Sequence, residues 1–353
     1  METEKNIPLS ASRIKVLQTC SFLYYFNYVL KLPDKANEGS LRGSCVHTIF
    51  ECLGNPRHKK HYDLIVKNED SFASRVVERY VNSFAKKNKI DDFENIDLMK
   101  SMILNGLNYD FFSKKHGKPT ESISEKDFDI EVSEGSKNYR ILGFIDKLFL
   151  FKKNKTALIR DFKSSKSVFS GDEVTDNMQH LMYCLAVKHL YPEYLKRDME
   201  FLFLKFDPEI NGLLEMDHVS EEELDGFELF LTEIQKVINN FNEKSAMSSF
   251  AYHKGYPSKD AGFSGRAVCG RAEYAGQLKK DGTPMWHCKA KFPQEFWQLK
   301  SESGDIIKSS FLNEKRILKD LQKKYPKSKI EKFSFGGCPC FNKNQLDKSD
   351  PFL

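Results

Sequence analysis

Two aspartates fifteen positions apart stand where the strands of a single hairpin would bring them together. Asp146 follows Leu142-Gly143-Phe144-Ile145, and Asp161-Phe162-Lys163 follows the apolar run Thr156–Arg160. The β-type runs Tyr139–Phe151 and Thr156–Phe162 are separated by Lys152-Lys153-Asn154-Lys155, a polar connection suited to a hairpin. In a hairpin the start of one strand lies beside the end of the other, so the two acids approach each other. Carboxylates brought together repel, and a bound divalent cation relieves them. Lys163 leaves its strand on the same face as Asp161, because strand side chains alternate. A cation beside paired carboxylates suits metal-assisted attack on a phosphodiester. Taken singly, each Asp reads as a turn residue and the Lys as a solvated strand end; the joint arrangement carries the reading.

The neighbouring elements extend it. The pattern predicts strand, strand, strand, helix, strand from Phe128 to Phe206, with a first strand at Phe128–Val132, a helix at Val174–His189 and a strand at Met199–Phe206. Gln179 and Tyr183, four apart, share one face of that helix. Further helices are expected at Ser12–Val29, Leu41–Leu53, Asp70–Lys87 and Asn95–Lys114, and the amphipathic run Glu221–Asn242 closes the domain. Glu131 is a further candidate ligand on the first strand. His47, alone, reads as a polar residue on a core helix.

Together these residues resemble the RecB-type branch of the PD-(D/E)xK nuclease superfamily, which includes the nuclease domains of RecB and AddB and the CRISPR adaptation nucleases. Ser10–Ile14 through Cys20 and Tyr24-Tyr25-Phe26 are similar to that family's opening helix, and Gly43–His47 to its histidine motif. Gly143-Phe144-Ile145-Asp146 matches the first acid, with Ile145 where proline often stands. Asp161-Phe162-Lys163 matches the acid-x-lysine signature, and Gln179 with Tyr183 the Gln-x3-Tyr helix. The resemblance spans roughly residues 9–206 and implies an α/β, restriction-endonuclease-like core, a central mixed sheet flanked by helices. It implies that His47, Asp146 and Asp161, with the Phe162 carbonyl, hold one or two Mg2+ or Mn2+ ions. Lys163 would orient or deprotonate the attacking water or stabilise the transition-state charge, and Gln179 and Tyr183 would steady the phosphate or the lysine.

A chain of 353 residues with 40% apolar content is long enough for two domains, and 29 Phe make its core aromatic. The expected division is a nuclease domain at 1–245 and a cysteine-bearing module at 246–353 that binds metal, DNA or both. A net charge of +5 steers DNA only weakly, so local patches matter more: Lys86–Lys89, Lys114–Lys118 and the run from Lys315 to Lys332. The N-terminus carries no cationic-then-apolar leader, and no apolar run reaches membrane-spanning length. The expectation is a cytoplasmic protein, in the host cytoplasm if phage-encoded, with no membrane partner.

Between His253 and His287 the chain is dense in Gly, Lys and small residues and needs a partner or a staple. Four of eight cysteines lie in this last part: Cys269, Cys288, Cys338 and Cys340. In a cytosolic protein that usage points to metal rather than disulfides. One reading is structural zinc on these four, with His287 or His253 as substitutes. The other follows from the resemblance, since several RecB-type nucleases carry a [4Fe-4S] cluster on one cysteine before the histidine motif and three after the core. Cys20 stands at the matching position, though the later cysteines are more scattered here than in the family. A tail without metal is the third option. Cys45, Cys52 and Cys184 read as small core residues.

The expected function is a metal-dependent DNA nuclease, an exonuclease on DNA ends or single strands, as a stand-alone enzyme of a phage or mobile element in replication, recombination or repair. The alternative is a catalytically silent nuclease-like scaffold that binds DNA or a replication or repair protein. The two-acid site attacks a phosphate and does not read the sugar, so RNA stays open as a substrate.

Overall fold

The computed structural model describes residues 6–247, 269, 270, 272 and 274–339. Contacts divide the chain into two compact units, one of residues 1–11 and 36–239, the other of residues 12–35 and 240–353.

The first unit is built on a five-stranded sheet in sequence order, from β1 (Glu121–Glu134) and β2 (Lys137–Phe151) through β3 (Thr156–Lys163) and β4 (Lys196–Phe203) to β5 (Leu213–Glu215). The β1–β2, β2–β3 and β4–β5 pairs are antiparallel, while β3 and β4 run parallel. The expected hairpin is present: a 3-10 turn at Lys152–Asn154 and Lys155 in the left-handed region (φ 50°) reverse the chain. A parallel neighbour requires a crossover, which the helix between β3 and β4 supplies. This is the central mixed sheet flanked by helices of the restriction-endonuclease-like fold.

Around the sheet lie α3 (Glu38–Leu53), α4 (Lys59–Asn68), α5 (Arg75–Asn88), α6 (Phe93–Asn108), α7 (Asp172–Thr175), α8 (Met178–Leu190) and α9 (Glu221–Asn239). Several differ from the sequence expectation for local reasons. The helix expected over Val174–His189 is two pieces, because the Asn177 side chain accepts hydrogen bonds from the amides of Gln179 and His180 and so starts α8 afresh. Ser74 caps α5 at Arg75 rather than Asp70, whose carboxylate caps a separate short turn. The α6 helix ends at Asn108, and α4 was not expected at all. Strand β4 begins three residues before Met199 and ends at Phe203, and β1 is far longer than Phe128–Val132. Helices α3, α5 and α6 bury Cys45, Val46, Val81, Met102 and Ile103 against Phe162, Leu202 and Leu204.

The second unit contains most of α1 (Ala11–Thr19), then α2 (Ser21–Tyr24) and a π-turn at Tyr25–Val29, so the single helix expected over Ser12–Val29 is broken at Cys20. With them come α10 (Glu243–Ala246), α11 (Lys315–Gln322) and a three-stranded antiparallel sheet ordered β7 (Ile306–Phe311), β6 (Gln294–Lys300), β8 (Lys329–Phe335). Its core joins Phe22, Phe26 and Leu32 to Ala290, Phe296 and Phe335. The rings of Phe26 and Phe335 meet edge to face at 4.5 Å. The basic run from Lys315 to Lys332 is partly neutralised: Lys323 pairs with Asp320, Lys327 with Glu302 and Lys332 with Glu295.

Gly143 shows how closely the first unit is packed. A Cβ there would lie 2.5 Å from Cζ of Phe128, the residue opposite it on β1. Gly143→Ala is expected to lower the unfolding free energy by about 1–3 kcal/mol, the usual range for overpacking. Urea titration should show the loss, and a Gly143→Ala/Phe128→Leu double variant should recover part of it.

Candidate active site

The β2–β3 ladder ends at the pair Lys147↔Arg160, and the next two residues are Asp146 and Asp161. Beyond the ladder the strands stay joined through a side chain: the Phe162 amide donates to Asp146 Oδ2 at 2.8 Å. Asp161 is 3% exposed. Its Oδ1 accepts from Gln179 Nε2 at 2.7 Å, and its Oδ2 lies 2.7 Å from Lys163 Nζ. Lys163 Nζ also donates to Gln179 Oε1 at 2.6 Å, and Gln179 Nε2 donates to the Tyr183 hydroxyl at 2.7 Å. One amide from α8 therefore ties the acid, the lysine and the tyrosine together.

Helix α3 delivers His47 to the same place. Its Nε2 lies 3.1 Å from the Phe162 carbonyl oxygen, and its Nδ1 lies 3.4 Å from Asp146 Oδ1. Gly43 makes that approach possible, since a Cβ there would sit 2.7 Å from Ser164 Oγ, just past Lys163. His47, Asp146, Asp161, Phe162, Lys163, Gln179 and Tyr183, named from the sequence, thus come together in one constellation.

Glu131 does not join them: it is exposed and lies opposite Arg140. The third carboxylate is Glu125, whose Oε1 lies 3.9 Å from His47 Nδ1. The ligand atoms of His47, Glu125 and Asp146 all fall within 4.8 Å of one another, a group able to hold a metal ion. The signal for Glu125 was the hairpin register. Glu134 pairs with Lys137 across Gly135-Ser136, with Gly135 at φ 56°. Counting back along both strands from that two-residue turn sets Glu125 against Asp146.

The charges are strongly coupled. Burial, and then the neighbouring Asp146, push the Asp161 carboxyl above the usual carboxylate range, against the pull of Lys163. Burial lowers the His47 pKa, but hydrogen bonds to Asp146 and Glu125 and the charges of Asp146 and Asp161 outweigh it and raise it to about 10. The Tyr183 phenol is held protonated by burial and then by the charges of Asp161 and Asp146.

A second group of side chains lies in the other unit. The Cys288 amide donates to the Cys269 carbonyl at 3.2 Å, and the Cys338 amide to the Lys291 carbonyl at 3.2 Å. Lys291 Nζ in turn donates to the carbonyls of Gly270 and Ala272. Cys20 is buried in the apolar cluster against which Cys288 packs. Burial, with smaller contributions from Cys269, Cys20 and Cys338, raises the Cys288 thiol to about 12 against the pull of a backbone hydrogen bond to Ala290. Cys269 is raised by burial and then by Cys338 and Cys20. None of these cysteines is in a disulfide. His287 lies against Met285 O and the Phe292 ring, while Cys340 and His253 lie outside the described residues. Cys45 and Cys184 are buried as expected, but Cys52 is exposed on α3.

The model of the PD-(D/E)XK nuclease superfamily matches residues 8–251. A solved structure from Eubacterium rectale titled "Putative exonuclease" is similar at 14% identity over 68% of this chain and 87% of that one, with a TM-score of 0.35. The solved structure of SSO0001 is similar at 16% identity over 61% of this chain and 82% of that one, with a TM-score of 0.25. No curated protein matches the chain.

A ligating histidine must be neutral, so binding of a divalent cation at His47 displaces the proton held there. Raising the pH toward about 10 removes that competition. Mn2+ affinity is expected to rise with pH across the range 7 to 9, by up to about tenfold per unit. Calorimetry in buffers of different ionisation enthalpy should show proton release, and Glu125→Gln with His47→Gln should abolish it.

Proposed function

This chain belongs to the PD-(D/E)XK nuclease superfamily, and we propose that it is a Mg2+- or Mn2+-dependent deoxyribonuclease acting as an exonuclease on DNA ends or single strands. The observation that carries the reading is the junction of Lys163, Asp161 and Gln179, held by bonds of 2.6–2.7 Å beside Asp146 and His47. A binding scaffold has no need to bury a carboxylate next to a second one and then fix an ammonium against it, because burial of such groups is costly.

In this reading His47, Asp146 and Asp161, with the Phe162 carbonyl, hold the cation. Their donor set suits the group: magnesium keeps several waters and needs few protein ligands, and carboxylate and carbonyl oxygens suit Mg2+ and Mn2+ alike. A bound dication supplies charge neutralisation for the phosphate under attack. Lys163 orients the attacking water and stabilises charge on the phosphoryl oxygens. Gln179 fixes the Lys163 ammonium by accepting from it, and Tyr183 keeps the Gln179 amide turned so that its oxygen faces the lysine.

The nuclease part lies within residues 1–245, and the cysteine-bearing module of residues 246–353, which holds metal and contacts DNA, shares its compact unit with residues 12–35. Cys20, Cys269, Cys288 and Cys338 all belong to one compact unit. Among the described residues no three of their sulfurs lie within 4.8 Å of one another. The mutual influence of Cys20, Cys269, Cys288 and Cys338 supports a shared metal site, an iron–sulfur cluster on these four or a zinc on the later cysteines. No described helix is long and apolar enough to cross a membrane. A place in replication, recombination or repair in the cytoplasm, as for a phage enzyme, rests on family analogy alone.

End-labelled single- and double-stranded DNA should be cut with Mg2+ or Mn2+ and not with EDTA. Asp161→Ala should lower the rate by about a hundred- to a thousandfold, the scale set by loss of one essential electrostatic group. A ladder shortening from one end marks an exonuclease. Folded, metal-loaded protein that cuts neither substrate would move the assignment to the scaffold reading. Anaerobically purified protein should contain iron and acid-labile sulfide in equal amounts, and Cys20→Ser should lose both; zinc in their place would favour a mononuclear site.

A further inference from the structure

Outside the acid cluster, helices α3, α4 and α5 enclose a cavity of about 150 Å3. Its walls include Thr48 and Cys52 from α3, His58 from a 3-10 turn at Pro56–His58, His61 from α4, and Val76 and Tyr80 from α5. Thr48 follows His47, and consecutive Cα atoms are about 3.8 Å apart, so the cavity begins beside the helix residue that reaches the acids. An apolar cavity of this size accepts a ring as large as benzene. A closed core would fill such a space. Here the walls reach solvent instead, with Val76 42% and Tyr80 36% exposed and Cys52 exposed as well. The rings of His58 and His61 lie 6.1 Å apart, and Tyr80 supplies a third. The Ser74 hydroxyl, 3.0 Å from His61 Nδ1, fixes that imidazole.

The surface beside the cavity is basic. On α5 the exposed residues Arg75, Arg79 and Lys86 recur at intervals of four and seven, so they form one stripe along the helix. At 1.5 Å per residue the stripe is roughly 16 Å long. Arg75 and Arg79 line a groove there, together with Asn82 and one acid, Glu78. Arg57 precedes His58 and Lys60 precedes His61, and both cations are exposed. Lys59 is paired with Asp63, whereas Arg57, Lys60, Arg75, Arg79 and Lys86 pair with no carboxylate among the described residues. Against them this part of the chain sets Glu51, beside Cys52, and Glu78. Burial first, and then Lys60 and His58, lower the His61 pKa below the usual imidazole value, so at pH 7 that wall is a neutral ring.

We infer that this face binds an unpaired strand of DNA: Arg75, Arg79 and Lys86 hold its phosphates, and the cavity between α3, α4 and α5 takes one of its bases. A basic groove that tracks the backbone and aromatic rings that stack on bases are the two parts from which single-strand sites are built. The cavity also discriminates. A base in a duplex is stacked on both faces and paired at its edge, so it enters only after paying to leave the helix. The inference rests on the nuclease reading above and names the form of DNA that the acid cluster receives.

The probes are labelled oligothymidylate, an abasic strand of the same length and a DNA hairpin, bound to full-length protein in EDTA and followed by fluorescence anisotropy. Val76→Trp, which fills the cavity, should weaken oligothymidylate binding about 5- to 150-fold, the scale of one base stack, and leave the abasic strand and the hairpin unchanged. Tyr80→Ala should do the same, and melting curves show that each variant is folded, so either one decides. Arg79→Ala should weaken oligothymidylate and the abasic strand alike and lower the salt slope by about 0.7. Equal losses for the two strands in the cavity variants would overturn the inference. Unchanged binding of both would overturn it too, and would leave the cavity to a protein partner or a small apolar molecule. Base-dependent loss in a protein that cuts no DNA with Mg2+ or Mn2+ would uphold the inference and overturn the nuclease reading. Cutting without base dependence would do the reverse.

Discussion

The hydrogen bond from the Phe162 amide to Asp146 is the contact on which the site depends. It joins β2 to β3 one step past the last ladder pair and so fixes the separation of two carboxylates that would otherwise repel. With the Phe162 amide committed to Asp146, the carbonyl of the same residue takes His47. The flanking side chains, Asp161 and Lys163, meet the Gln179 amide on α8. The tripeptide Asp161–Lys163 thus distributes contacts to α3, β2 and α8, while the Phe162 ring packs with Phe50 at 4.6 Å and anchors it in the core.

Behind the acids the sheet buries two cations. Lys147 follows Asp146 and Arg160 precedes Asp161, and the two are opposite each other in the ladder. Arg160 is paired with the buried Glu200 and donates to the Asp110 carbonyl. Lys147 has no carboxylate in an ion pair with it among the described residues; it has Ser124 and the faces of Phe111 and Phe149. Burial and then Arg160 lower its pKa to about 8. Like charges opposite one another are unfavourable in a sheet. Here Glu200 neutralises Arg160, while Lys147 keeps only a hydroxyl and two ring faces.

Much of this was legible because it is local. The polar turn Lys152–Lys155, the acid-x-lysine spacing and the four-residue spacing of Gln179 and Tyr183 follow from strand and helix repeats. Glu125 was missed because its place depends on the register of a strand whose length was underestimated, and Glu131 was chosen on proximity to the strand end instead. The break at Asn177 was missed because a capping side chain overrides an unbroken apolar pattern. The C-terminal sheet was hidden for a different reason. Its central strand, Gln294–Lys300, buries Gln298 completely, and that side chain's Nε2 donates to the Leu30 carbonyl 268 residues away. No local window contains such a partner.

That same pairing of distant segments has a consequence for how the protein is made. Residues 12–35 leave the ribosome well before residues 290–335, yet Phe22 and Phe26 complete their packing only with Ala290, Phe296 and Phe335. At about 5–20 residues per second, the wait is on the order of 15–60 seconds. During it an aromatic segment is without its native cover while the chain between its two halves is still being translated. The second unit therefore closes only after the whole of the first has been made, and the nascent chain's exposure to chaperones and proteases is governed by residues 12–35 as much as by residues 290–335.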